Sequence, residues 1–138
     1  MDSFAIFKVS ASALEAQKGR MNTIASNMAN INSTQTESGG PYRRKDVVFS
    51  TTSIDSKDPV PLQGVKVESV TESQEPLKKV YDPGHPDANK EGFVSLPNIN
   101  IMEEMVNMMM ASRAYEANVT TFNMSKNMFL KALELGRV

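Results

Sequence analysis

The chain has no cysteine and a single histidine, His85, among its 138 residues. The first absence excludes disulfides and thiolate chemistry, and it suits a chain that crosses between compartments unfolded. The second leaves one imidazole, with no partner of its own kind, for metal or base chemistry. Charge of one sign is lacking too. Fifteen Lys and Arg against sixteen Asp and Glu leave a net charge of −1, which gives no reason to expect binding to nucleic acid or to an anionic membrane. No stretch approaches the ~20 apolar residues that span a bilayer. The opening Met1-Asp2-Ser3-Phe4 has neither the basic nor the apolar region of a secretory signal. The expectation is a soluble chain without a cleavable leader, and its length favours one domain.

Helix breakers are missing from both ends. All seven prolines lie between Pro41 and Pro97, five of the seven glycines lie between Gly39 and Gly92, and all ten methionines lie outside that region. Proline stops helices and glycine weakens them, so the chain divides into helix, non-helical middle and helix. The boundaries are 1–32, 33–98 and 99–138.

The first helix is expected from about Asp2 to Ile31. Phe4, Phe7, Ala11, Leu14, Met21, Ala25 and Met28 recur in steps of three and four, the pattern of an amphipathic, heptad-like helix. Lys18 interrupts that seam, and Ile24 and Ile31 widen it on one flank. Asp2 and Ser3 supply a cap-like, acidic start. Gly19 costs about 1 kcal/mol relative to Ala, tolerable if the small residue lets another helix approach closely.

The last helix is expected from Ile101 to Leu135. Asn100 can cap it, with Glu103 as capping-box partner, and Gly136 suits its end. Its seam is Ile101, Met105, Met108, Ser112, Tyr115, Val119, Phe122, Lys126, Phe129 and Leu133, broadened by Met102, Met109 and Leu130. The helices would be roughly 45 and 50 Å long. A two-helix seam uses only two positions per heptad. Residues beside it therefore need cover from other chains, or from the chain's own middle in a self-contained bundle.

The middle reads as turns and short strands. Lys45–Ser50, Gly64–Val70 and Gly92–Leu96 are strand candidates, Asp82-Pro83-Gly84-His85-Pro86 is a turn, and polar Ser50–Asp58 reads as mobile. Three short strands make a marginal sheet.

Little here points to chemistry. His85, with Asp82 and Asp87, reads as a solvated loop before it reads as a metal site. The serines follow no nucleophile motif, and Gly39-Gly40-Pro41 lacks the phosphate-loop frame. Arg43-Arg44-Lys45 followed by Asp46 reads as a solvated strand edge, with contact to an acidic neighbour as the alternative. Met108-Met109-Met110, with Met102 and Met105, is either helix core or an adaptable surface for imperfect neighbours. The many helical asparagines, Asn22, Asn27, Asn30, Asn32, Asn107, Asn118, Asn123 and Asn127, either face solvent or cross-bond helices and set register.

Three segments carry a resemblance. Ser10–Thr36 (SASALEAQKGRMNTIASNMANINSTQT), within which Asn22–Thr34 is the signature, resembles the N-terminal motif of bacterial flagellar rod and hook axial proteins. Gly39–Phe49 (GGPYRRKDVVF) follows it. Gly92–Gly136 (GFVSLPNINIMEEMVNMMMASRAYEANVTTFNMSKNMFLKALELG) is similar to the family's C-terminal motif. The short length, without a large inserted domain, resembles the proximal rod branch.

That resemblance implies a mostly α fold with a small β-rich middle. It implies that the long terminal helices pair as an antiparallel coiled coil. It implies a structural, non-enzymatic role in the periplasmic rod of the flagellar basal body, reached by type III export. Implied partners are other proximal and distal rod subunits, the rod-to-ring adaptor and the export apparatus. No cofactor, metal, nucleic acid, membrane insertion or small-molecule substrate is implied. Expected packing residues are Phe4, Phe7, Leu14, Met21, Ile24, Met28, Ile101, Met105, Met108, Tyr115, Val119, Phe122, Phe129 and Leu133. Asn27, Asn30, Asn32, Tyr115 and Asn118 are the family-motif positions. The alternatives are a soluble helical adaptor or export cofactor and, more distantly, a hydrolase using His85.

Overall fold

Two long helices flank a middle built from two small antiparallel sheets. The computed structural model describes residues 4–54 and 62–136. In chain order the elements are α1 (Ala5–Ala29), β1 (Lys45–Ser53), β2 (Gln63–Glu72), β3 (Lys78–Tyr81), β4 (Phe93–Leu96) and α2 (Ile101–Leu135).

α1 ends earlier than its apolar pattern suggests. The Asn30 backbone N–H and side-chain Nδ2 both donate to Ser26 O, at 3.1 and 2.9 Å. Asn30 Oδ1 accepts from the Ser33 hydroxyl at 2.9 Å. This local bonding turns the chain at residues 30–32 before Ile31 can extend the helix. The expected caps Asp2 and Ser3 lie outside the described residues. α2 occupies the expected span, about 52 Å of helix. Asn100 Oδ1 caps it by accepting from Met102 N–H at 3.1 Å, with no bond back from Glu103 among the described residues.

The middle departs from the expected single three-stranded sheet. β1 pairs with β2 from Lys45↔Glu72 to Ser53↔Gln63, with a bulge where Val48 faces Ser69 and Phe49 faces Val67. β3 pairs separately with β4. Pattern reading missed β3 because Lys78-Lys79-Val80-Tyr81 neither alternates nor is rich in apolar residues. Its strand character comes from pairing with β4 and from Tyr81 on Phe93, ring centroids 5.3 Å apart. Ser50–Ser53, expected to be mobile, is ladder-bonded in β1. The remainder of that polar stretch, from residue 55 on, lies outside the described residues.

α1 is sandwiched. One side, carrying Ser12, Ala16 and Gly19 in steps of four and three, receives β2. Ser12 Oγ accepts from Val65 N–H at 3.1 Å. A Cβ on Gly19 would lie 3.2 Å from Val67 Cγ2. Gly19 therefore admits a strand rather than the second helix expected from sequence. The other side meets α2. Phe4 packs on Phe129 and Phe7 on Phe122 and Phe129, with ring centroids 5.8, 5.2 and 6.2 Å apart. At the far end Asn27 bonds Glu104. The start of α1 thus lies beside the end of α2, and the end of α1 beside its start. Among the described elements α2 packs against α1 alone.

The second hairpin docks through Asp87. Its carboxylate accepts from Thr34 Oγ1 at 2.7 Å and Gln35 Nε2 at 3.1 Å. Gly92 closes the hairpin at φ +84, and a Cβ there would stand 2.8 Å from Tyr81 Cε2. Gly92→Ala should therefore destabilise the protein by about 1–3 kcal/mol. A denaturant titration would measure this, with the loss of β3–β4 amide protection localising it.

Candidate functional site

Most side chains are poorly covered, yet one polar cluster is fully enclosed. Glu104 has 0% of its surface exposed and Asn27 1%. They are the largest fully buried side chains among the described residues. Asn27 uses its whole hydrogen-bonding capacity. Its Nδ2 donates to Lys45 O at 2.8 Å and to Glu104 Oε2 at 3.0 Å. Its Oδ1 accepts from Lys45 N–H at 2.9 Å and Tyr42 OH at 3.1 Å. Glu104 Oε1 accepts from Arg44 Nε at 2.7 Å, and Arg44 Nη1 also reaches Asp46. One amide and one ion pair thereby join α1, α2 and the strand entering β1.

Electrostatics follow from this enclosure. Burial works against the Arg44 charge, but the Glu104 hydrogen bond and the carboxylates of Glu104, Asp46 and Glu103 outweigh it and raise its pKa. Burial, with lesser contributions from Glu72 and Glu104, raises the Tyr42 phenol above its ordinary value. Tyr42 stays a neutral donor to Asn27.

The basic run is consequently no solvated edge. Arg43 Nη1 donates to Ser73 O and Glu75 O at 3.1 and 3.3 Å, tying down the chain after β2. Arg44 pairs with α2. Lys45 Nζ lies 3.8 Å from Glu72 and 5.5 Å from the Tyr42 ring centroid. Sequence reasoning missed Glu104, Arg44 and Tyr42. A lone carboxylate at stripe spacing with Met108, Ala111 and Tyr115 was the available signal.

The expected packing residues divide. Phe7, Leu14, Met21, Met28, Met108, Tyr115, Val119, Phe122 and Phe129 are half-buried. Ile24, expected on an uncovered flank, is buried. It lines a cleft of about 270 Å³ with Val47 and Phe49, because β1 covers that side of α1. Phe4, Ile101, Met105 and Leu133 remain exposed, as do Ala11 and Ala25, while Ala5 and Ala16 are buried instead. Of the motif asparagines, Asn27 is the core of the cluster, Asn30 closes α1, Asn32 is exposed and Asn118 half-buried.

The methionines mark a second face. At about 100° per residue, Met102, Val106, Met109, Met110, Ala117, Met124, Met128 and Leu135 run down the side of α2 opposite Glu104, Ala111 and Phe122. All eight are exposed, Met102 and Met128 by 65%. Met102 and Met109 therefore do not broaden the α1-facing seam but belong to this outer stripe, which Arg113 and Lys131 interrupt. The chain as a whole exposes 9761 Å². A compact monomer of 15.2 kDa would expose roughly 7,100 Å².

No enzyme-like constellation accompanies these faces among the described residues. His85 Nδ1 accepts from Asp87 N–H at 3.1 Å within its turn. No group of three or more His, Cys, Asp or Glu is arranged to hold a metal ion there, and no helix is long and apolar enough to cross a membrane.

Both terminal segments match families of one assembly. Residues 7–35 match the flagella basal body rod protein family, and residues 90–135 match the flagellar basal body rod FlgEFG protein C-terminal family. The flagellar basal-body rod protein FlgC of Salmonella typhimurium is 48% identical over 132 residues, 96% of each chain. FlgC of Borreliella burgdorferi is 42% identical, covering 98% of each. FlgC of Bacillus subtilis is 41% identical, covering 99% of this chain and 100% of its own. The chain belongs to the FlgC family of flagellar basal-body rod proteins. Within this family member the helix-facing and outward faces of α2 are distinct, and the buried cluster sits at one end of the helix pair.

Glu104→Ala should destabilise the fold by about 3 kcal/mol, since Asn27 loses one acceptor and Arg44 is left with Asp46 as its remaining counter-charge; urea unfolding checks this. A phenol whose folded pKa is raised contributes stability that is intact below its free value and is lost as pH rises past it. Stability should therefore fall as pH climbs above 10.0. That alkaline limb should be shallower in Tyr42→Phe.

Proposed function

We infer that this chain is a structural subunit of the proximal rod of the bacterial flagellar basal body, with no catalytic step. The near full-length relationship to FlgC proteins carries this reading. The soluble adaptor or export-cofactor alternative has no comparable support.

The geometry fits a polymer component. α1 and α2 are read as an antiparallel coiled coil within the subunit, its seam formed by the phenylalanines and by Leu14, Met21, Met108 and Tyr115. The outer stripe of α2 is read as the surface that terminal helices of adjoining subunits cover. Methionine suits that task, because an unbranched thioether adapts to neighbours that differ slightly in shape. Contacts that do not close on themselves generate helical rods, and dense packing across the stripe would transmit torque with little compression.

We propose the remaining assignments on the strength of that relationship. α1 and α2 are read as the helical core of the subunit, and the strands between them as an outward middle domain making subunit-specific lateral contacts. The partners are other proximal and distal rod subunits, the rod-to-ring adaptor and the type III export apparatus. The rod is read as periplasmic, with the subunit reaching it through that apparatus.

Two substitutions separate the faces. Met109→Glu should leave the helical content and unfolding midpoint of the isolated chain unchanged, yet remove the protein from purified basal bodies and abolish swimming. Phe122→Asp should block assembly as well, but with reduced stability. Normal motility in a strain carrying Met109→Glu would overturn the assignment of the outer stripe.

A further inference from the structure

The apolar seam between α1 and α2 has a repeat that leaves its register ambiguous. On α1, Phe7, Leu14, Met21 and Met28 are spaced by seven residues. On α2, Ile101, Met108, Tyr115, Phe122 and Phe129 are spaced by seven too. Phe7 already lies between two of these, 5.2 Å from Phe122 and 6.2 Å from Phe129. Sliding α2 by one heptad, about 10 Å along the axis, would again set large apolar side chains against large apolar side chains. Among the described elements no strand packs on α2, so the sheets do not read its register directly. Dispersion and apolar burial are non-directional, so they distinguish these registers poorly.

We propose that the buried Glu104–Asn27–Arg44 cluster is the register lock of the helix pair, selecting one alignment out of a heptad-degenerate set. Slipped one heptad toward the start of α1, Glu104 would leave Asn27 and Arg44 for the level of Arg20, and slipped the other way it would pass the end of α1 at Ala29; in both alignments it gives up the Asn27 amide and the Arg44 pair that hold it. Asn27 would keep its bonds to Lys45 and Tyr42 but lose the acceptor for one Nδ2–H. A single polar residue in an apolar seam fixes alignment in this way by making every other alignment costly. Arg44 strengthens the choice, because it is anchored to α1 through the strand: Lys45, its chain neighbour, bonds Asn27 by both backbone groups. Glu104 thus acts as a positioning residue for the whole length of α2, including its distant phenylalanines. This inference does not depend on the rod reading.

The chain lacks cysteine, so paired spin labels can be placed without background. With labels at Lys18→Cys on α1 and Asn127→Cys on α2, pulsed dipolar spectroscopy of the full chain should give a single distance. Adding Glu104→Leu, which keeps bulk but removes the carboxylate, should give a second population displaced by up to about 10 Å. Glu104→Gln, which retains an oxygen for Asn27, should restore one predominant distance. If Glu104→Leu loses its helical circular dichroism, the double variant Asn27→Leu/Glu104→Leu removes both polar partners and is read by the same criterion. A single unshifted distance in the folded leucine variant overturns the proposal. A parent protein that already populates two distances overturns it as well.

Discussion

A carboxylate with no exposed surface, Glu104, sits where two helices and a strand converge, and the organisation of the fold depends on how it is satisfied. A buried charge is costly unless it is paired and hydrogen-bonded. Arg44 supplies the counter-charge and Asn27 the amide, so both have to be where the fold holds them. Asn27 in turn requires the backbone of Lys45 and the hydroxyl of Tyr42. Through these few bonds the end of α1, the start of α2 and the entry to β1 become mutually dependent.

Away from that cluster the interactions are soft and non-directional. Four phenylalanines, Phe4, Phe7, Phe122 and Phe129, hold the opposite end of the helix pair, each ring pair contributing about 0.5–1.5 kcal/mol beyond its buried area. Only Glu104 and Ala111 of α2 are buried. Isolated helices gain little from propensity alone. Most of this long helix is therefore left without cover from its own chain. The directional cluster sits at one end of the helix pair, and non-directional apolar packing holds the rest of it.

Much of this was legible before any coordinates. Prolines confined to residues 41–97 located the non-helical middle, Asn100 marked the start of α2, and alternation in Lys45–Ser50 and Gly64–Val70 marked the first hairpin. The misreadings share one cause. Gly19 was assigned to a helix contact and Ile24 to an open flank because helical periodicity gives a direction but not a neighbour, and β1 and β2 proved to be that neighbour. Arg43-Arg44-Lys45 read as a solvated strand edge because Asp46 follows it directly. In the fold their side chains diverge to three separate sets of partners. Likewise, Met102 and Met109, read as broadening the seam, face away from α1.

The amino-acid sequence by itself determined which segments are helical and which extended, since breaker placement, capping and periodicity act over a few residues. Through its terminal motifs it also determined the family. Only the tertiary structure decided which face of each helix is covered, that the strands form two sheets, and that Asn27, Tyr42, Arg44 and Glu104 share one enclosed cluster. Those outcomes depend on contacts between residues distant in sequence, 77 positions for Asn27 and Glu104 and further still for Phe4 and Phe129. Their energy comes from desolvation and hydrogen-bond geometry, which exist only once the elements are brought together.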